Sequence, residues 1–321
     1  MSAFMSLNLD FLRALAALRT PLLDTLMAAV THLGEETFFM VLALLMFWCV
    51  DKRRGYYLLL VGFTGTIINQ ALKITFCIPR PWVLDPGFPI VEAARAQATG
   101  FSFPSGHTQN AVGTFGGIAR TSKRRGVRIA CAALALLIAF SRLYLGVHTP
   151  LDVGVSLLIA AALVLALAPV PEEAKRRPNY LLHVWMLMLL PALAFLFYAL
   201  HVRSGAAGEL ANFDSAVKNA WCMLGGTVGV ILTIFIDERF TRFETQAVWW
   251  AQAIKLTLGL GLVVAVRAGL KAPLYALLGQ GSGAADGIRY CLMVLTAGIL
   301  WPLSFHFFST LGYGKSGTLH L

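Results

Sequence analysis

Residues 141–168 read SRLYLGVHTPLDVGVSLLIAAALVLALA, and the fold is decided by how this stretch divides. Between 149 and 169 the only charged residue is Asp152. A run of that length matches the roughly 20 apolar residues that cross a hydrocarbon core about 30 Å thick. Thr149-Pro150-Leu151-Asp152 has the grammar of a helix start, with Thr149 as N-cap, Pro at the first helical position and an acid in the first turn. A membrane helix therefore begins directly behind Ser141, Arg142 and His148. Ionisable groups at such a place are costly unless they are paired or functional.

Working outward, the same texture recurs along the chain. Apolar stretches fall near 34–50, 57–76, 105–119, 127–142, 149–169, 181–201, 219–236, 247–267 and 287–309, which predicts an all-α, polytopic membrane bundle of about nine spans. Composition agrees, since 58% of the 321 residues are hydrophobic and 13% are charged, against about 25% charged in soluble domains. Mean hydropathy is +0.71. Soluble, collagen-like, disordered and small disulfide-rich classes are excluded. The net charge of +10 does not point to nucleic acid, because Lys and Arg lie in short bunches between apolar runs and not along one stripe. The five Cys, at 49, 77, 131, 222 and 291, lack metal-ligand spacing and read as packing residues.

Residues 1–20 lack the charged start, unbroken apolar centre and small-residue cleavage site expected of a signal peptide. Phe4, Leu7, Phe11, Leu15 and Leu18 recur at helical spacing with Asp10 and Arg13 off that face, which predicts an N-terminal helix lying in the membrane interface. The bunches at Lys52-Arg53-Arg54, Arg120–Arg128 and Lys175-Arg176-Arg177 alternate with positively poorer loops and are predicted to be cytoplasmic. Residues 1–33, 77–104 and 142–149 then face outward. An odd number of spans leaves the C-terminus, with Lys315, in the cytoplasm. Asp237–Phe243, carrying Arg239 and Arg242, falls on the same side.

Three polar clusters lie at the outward ends: Lys73 to Arg80-Pro81, Pro104-Ser105-Gly106-His107, and Ser141-Arg142 to His148 and Asp152. Lys73, Arg80 and Arg142 gather positive charge, and guanidinium forks suit phosphate oxygens. Ser105 and Gly106 open the third span, where free backbone N–H groups add donors and a favourable dipole. His107 and His148 supply what phosphoryl transfer needs, a neutral imidazole to attack phosphorus and an imidazolium to protonate the departing oxygen. Asp152, one helical turn after His148, is spaced to hold the other ring nitrogen as N–H.

These clusters resemble the type-2 phosphatidic-acid phosphatase superfamily, whose pattern is K-x6-RP, PSGH and SR-x5-H-x3-D. Every defined position is filled: Lys73, Arg80 and Pro81; Pro104, Ser105, Gly106 and His107; Ser141, Arg142, His148 and Asp152. The resemblance covers about residues 1–170. It implies a metal-independent membrane lipid-phosphate phosphatase without a cofactor, with His148 as nucleophile, Asp152 as its partner and His107 as general acid. Lys73, Arg80, Ser105, Gly106 and Arg142 would bind the phosphate. Substrates that suit it are a polyisoprenyl pyrophosphate, a phosphatidate or a phosphatidylglycerol phosphate. Vanadium-dependent haloperoxidases share the site pattern, but the membrane spans argue against a soluble relative.

Each residue alone has a plainer reading. Asp152 suits helix capping, Pro104-Ser105-Gly106 ordinary turn chemistry, Lys73 a snorkelling lysine and Arg142 a membrane-end anchor; it is their joint occurrence that favours the catalytic reading. A lipid phosphotransferase using the same phosphohistidine remains open, as does a non-catalytic lipid transporter or interaction protein. Two segments are expected: residues 1–170 as phosphatase core and 171–321 as additional transmembrane helices of unknown role. In the second, Gly225-Gly226, Gly229, Gly259 and Gly261 are expected to let helices approach closely, and Trp249-Trp250 to anchor at the interface. The oligomeric state is not legible, and the expected partners are a lipid phosphate substrate and membrane lipids, in the bacterial cytoplasmic membrane with the site facing outward.

Overall fold

The computed structural model describes residues 3–96, 98–206 and 208–311, with side chains from Leu7 onward. Phe4, Lys315 and His320 lie outside the described side chains. Among the described residues all regular structure is helical. In the first half run α1 (Ala3–Ala16), α2 (Pro21–Thr31), α3 (Glu36–Leu45), α4 (Lys52–Phe76), α5 (Pro81–Leu84), α6 (Gly106–Thr121), α7 (Arg125–Tyr144) and α8 (Pro150–Ala166). The second half holds α9 (Val170–Arg176), α10 (Tyr180–Leu187), α11 (Leu189–Gly205), α12 (Leu210–Ile236), α13 (Trp249–Gly269), α14 (Lys271–Leu278), α15 (Gly283–Leu295) and α16 (Phe305–Thr310).

Seven stretches among the described residues are long and apolar enough to cross a bilayer: Lys52–Leu84, Arg125–Tyr144, Pro150–Arg176, Tyr180–Gly205, Leu210–Thr241, Trp249–Leu278 and Gly283–Thr310. The pair Pro21–Gly34 and Glu36–Val50, bent by 53°, makes an eighth when taken as one crossing. The remaining predicted span, 105–119, is α6, a 16-residue helix carrying Thr108, Gln109, Asn110 and Thr114. None of residues 106–119 is exposed, and Thr108, Gln109 and Thr114 are buried, so the polar positions of this helix face protein.

The chain divides into two compact units. The first comprises Met1–Met40, Leu58–Ala168 and His201–Ala216. Its centre is α6, packed against α7 and α8, with α2 lying on α7. The start of α8 is fixed as its sequence predicts, by a capping box: Thr149 Oγ1 accepts from Asp152 N, and Asp152 Oδ2 accepts from Thr149 N. Such a cap typically contributes about 1 kcal/mol. The α1 helix has a second apolar stripe beyond the predicted one. Leu9 and Leu12 are fully buried beside Phe88, while Leu7 and Phe11 stay exposed. Arg13 bridges Asp10 and Asp85, tying α1 to the loop after α5.

The second unit comprises Val41–Tyr57, Pro169–Leu200 and Val217–Leu321. Close helix packing explains its glycines: a Cβ at Gly225 would stand 1.9 Å from the Gly287 carbonyl oxygen, so α12 and α15 touch backbone to backbone. Gly229 and Gly259 are similarly crowded, by α15 and by Trp301, but Gly261 faces open space. Trp48 donates to the Ala297 carbonyl at 2.8 Å and packs edge-on to Phe305. Trp249 is 82% exposed. All five cysteines are free thiols.

Candidate active site

All eight predicted site residues belong to the first unit. Lys73 sits in the last turn of α4, and Arg80 is the N-cap of α5 with Pro81 at its first position, where the missing N–H costs nothing. Ser105 is the N-cap of α6, its hydroxyl accepting from Thr108 N, with Gly106 and His107 following in the first turn. Arg142 lies in the last turn of α7. His148 occupies the short turn before α8, and Asp152 the first turn of α8.

That turn is shaped by Gly146, whose φ is +76°. A Cβ there would also meet Arg19 Nη2 at 2.8 Å and Phe88 at 3.0 Å. Backbone conformation and crowding both demand glycine, and the turn delivers His148 into the interior at 1% exposure.

The imidazole of His148 is held from both sides. Its Nε2 accepts from Arg80 Nη1 at 2.9 Å, and its Nδ1 lies 3.4 Å from Asp152 Oδ2. An arginine always donates, so the proton belongs on Nδ1, facing the carboxylate. Burial comes first, and then the charges of Arg80, Arg142 and Lys73, in pushing His148 well below its ordinary value. The ring is neutral, with a lone pair on Nε2.

Arg80 uses four of its five N–H donors. Its Nε donates to the Gly100 carbonyl at 3.1 Å, Nη2 to Thr99 at 2.8 Å, and Nη1 also to Val147 at 2.8 Å. Lys73 donates to the Phe101 carbonyl at 2.7 Å. Segment 99–101 is thereby strapped to two cations. Asp152 Oδ2 additionally accepts from Ser102 Oγ at 2.6 Å, and the Asp152 carbonyl accepts from Ser105 N at 3.1 Å. The second and third motifs are joined through that aspartate.

Among the described residues, several buried polar atoms here have no protein partner: the donors Arg142 Nε and Nη2 and Asn69 Nδ2, together with His107 Nε2 and Asp152 Oδ1. Arg142 is held only through Nη1, which donates to Thr31 Oγ1 at 2.6 Å. Unpaired buried donors carry a cost of about 1–3 kcal/mol each, more when charged. A cluster of them on a neutral imidazole is an arrangement built to receive an anion. Among the described residues, no group of three His, Cys, Asp or Glu is placed to hold a metal ion.

Comparison with known proteins agrees. The PAP2 superfamily profile matches residues 54–176, and that of the PAP2 superfamily phosphatase transmembrane extension matches residues 221–313. Phosphatidylglycerophosphatase B of Bacillus subtilis (strain 168) is 31% identical over 156 residues, spanning 44% of this chain and 71% of that protein. The chain belongs to the PAP2 superfamily. It is an integral membrane phosphatase of lipid metabolism. Undecaprenyl-diphosphatase BcrC of the same organism is 28% identical over 158 residues, 48% of this chain and 79% of that one. The crystal structure of Aquifex aeolicus LpxE is 30% identical, with a TM-score of 0.43 over 50% of this chain and 94% of that one.

Beside the three motifs, residues absent from the sequence reading contact the candidate site. Ser102 holds Asp152, Thr31 holds Arg142, and Gly146 shapes the His148 turn. Asn69 lies one turn before Lys73 on α4, its buried amide near Gly106. Thr31 is 111 residues from Arg142, a separation that leaves no local signal. Asn69 had one: an Asn at i−4 from the motif lysine in a transmembrane helix shares its face.

Proposed function

We propose that the protein removes the phosphoryl group of a lipid monophosphate or pyrophosphate at the outer surface of a bacterial cytoplasmic membrane, through phospho-His148. One observation carries the reading: a neutral, deeply buried imidazole whose Nδ1 faces Asp152 and whose Nε2 faces a phosphate-type cation. Nε2 attacks phosphorus and forms the P–N bond as the P–O bond to the lipid breaks. His107 passes its proton to the departing oxygen, then takes one from the water that cleaves P–N, returning both histidines to their starting state. Arg80, Arg142, Lys73, the Ser105 hydroxyl and the Gly106 N–H neutralise the equatorial oxygens. Asp152 stabilises the Nδ1 proton as charge develops on the ring.

In this reading residues 1–170 form the phosphatase core and 171–321 contribute additional transmembrane helices. The names of the two Bacillus relatives support a phosphatidylglycerol phosphate or a polyisoprenyl pyrophosphate as substrate. The test is to incubate purified protein with both, and with phosphatidate, in the absence of added divalent metal, following phosphate release beside labelled lipid products. Stoichiometric phosphate release from one lipid, with an acid-labile phosphoenzyme that His148→Ala lacks, supports the reading. Transfer of label to a second lipid without phosphate release would replace it with phosphotransfer, and no turnover of any of the three would overturn it.

A further inference from the structure

The second unit contains a pocket remote from this chemistry along the chain, with a cavity volume of about 470 Å³. Lys52 is the first residue of α4. The pocket is lined from the Lys52 end of that helix, from the segment after α9 and from the end of α12. Its floor is the apolar Leu181 and Ile234 with the buried Tyr56, and its walls and rim carry six cationic side chains against two carboxylates. One of those two, Asp237, is already committed, accepting from Lys52 Nζ at 2.6 Å and from Phe243 N at 3.1 Å.

Most of the rim cations are also spoken for. Lys175 pairs with Glu172, and Arg176 and Arg177 pair with Glu173. Arg53 and Arg242 are different, because neither has a carboxylate partner among the described residues. Arg242 caps the helical segment after α12 at φ +42°, a left-handed position that a non-glycine residue adopts at a cost, and its Nε donates only to the Glu238 carbonyl. The independent sign of a ligand is Tyr56. It lines the pocket and is 3% exposed, and its buried hydroxyl has no hydrogen-bond partner among the described residues. Two unneutralised guanidinium groups and one orphaned O–H donor around a single cavity are the complement of a phosphate.

We propose that this pocket is a second anion site, which takes the phosphate of an anionic phospholipid headgroup or free phosphate. The volume lies within the range of about 300–1,000 Å³ typical of organic ligands, and the apolar floor leaves room for the carbon part of a headgroup. The rim comes from the Lys- and Arg-rich loops predicted to face the cytoplasm, where anionic lipids collect and basic pockets between transmembrane helices hold their headgroups. The proposal does not depend on the catalytic assignment, since no residue of the pocket belongs to the three motifs.

The experiment is native mass spectrometry of the full-length protein in detergent, titrated with dioleoyl phosphatidylglycerol, with dioleoyl phosphatidylcholine as the neutral probe. Wild type is expected to retain phosphatidylglycerol over phosphatidylcholine. Arg53→Gln with Arg242→Gln is expected to weaken that binding by about tenfold or more, as two charge-assisted bonds predict. Tyr56→Phe is a milder second variant that leaves the charge untouched. Arg120→Gln with Arg128→Gln, which removes equal charge elsewhere, should bind as wild type, and phosphatase activity should persist in all of these variants. Inorganic phosphate in the millimolar range that displaces the lipid marks free phosphate as the occupant, and lipid retained against phosphate marks the headgroup. Equal retention by wild type and by the Arg53/Arg242 variant, or an equal loss in the Arg120/Arg128 control, would overturn the site.

Discussion

Nη1 of Arg80 donates to Nε2 of His148 at 2.9 Å, so the arginine occupies the lone pair that attacks phosphorus in the proposed mechanism. A phosphoryl group entering the site must draw that donor onto its own oxygens, and in doing so it frees the nucleophile. Binding of the anion and exposure of the lone pair become one event. The remaining Arg80 bonds, to the carbonyls of Thr99, Gly100 and Val147, keep the guanidinium in place while the exchange occurs.

His148→Ala is therefore expected to abolish turnover in a protein that still folds, and Arg80→Lys to cost about 10- to 100-fold in kcat/KM, because an ammonium cannot reproduce the fork. His107→Ala should lose about 10²- to 10⁴-fold on alkyl phosphates and much less on an activated aryl phosphate, whose leaving group needs no proton. Steady-state kinetics on both substrate types decides; equal losses on the two would remove His107 from the role of acid.

What the sequence made legible follows from which forces are local. The helix start at Thr149 and Asp152 is written in residues a few positions apart and formed as read, and most of the apolar runs became helices long enough to cross a bilayer. The α6 helix is the shortest of the predicted spans, 16 residues with polar Thr108, Gln109, Asn110 and Thr114, and those polar positions are covered by the helices around it. Ser102 and Thr31 could not be read at all. Their partners, Asp152 and Arg142, are 50 and 111 residues away, and a lone hydroxyl carries no pattern until the chain folds.

Ser102 is expected to act as a positioning residue. Its hydroxyl donates to the same Asp152 oxygen that faces His148, at 2.6 Å. Ser102→Ala should lower kcat by about tenfold, in line with the roughly 1.5–3 kcal/mol of a hydrogen bond to a charged group, while leaving KM nearly unchanged. Ser102→Thr, which keeps the hydroxyl, should restore most of the rate. A loss confined to KM, or no rescue by threonine, would assign Ser102 to packing alone.

The depressed protonation of His148 gives a spectroscopic prediction. Burial and three neighbouring cations disfavour the imidazolium, so in the substrate-free protein the ring should remain neutral as pH falls through about 6.5, where an ordinary histidine takes up a proton. Nitrogen-15 NMR of ring-labelled protein at pH 6, assigned by comparison with His148→Ala, should show a neutral ring with its proton on Nδ1. Two protonated ring nitrogens at that pH would mean that Arg80 does not hold Nε2 in solution.

The last prediction concerns which face of the membrane meets the substrate. The three motifs lie at ends of spans that alternate with the Lys- and Arg-rich loops, and those loops favour the cytoplasm because positive residues resist translocation. Glu92 and Lys123 are both exposed and stand on loops assigned to opposite sides. In a variant whose five native cysteines are replaced by serine, a membrane-impermeant thiol reagent applied to intact cells should label Glu92→Cys and miss Lys123→Cys. Permeabilised cells should label both, which shows that each position is reactive. Labelling of Lys123→Cys alone in intact cells would invert the topology and turn the site toward the cytoplasm. The His148 chemistry would stand, but the lipid phosphates within its reach would be those of the inner leaflet.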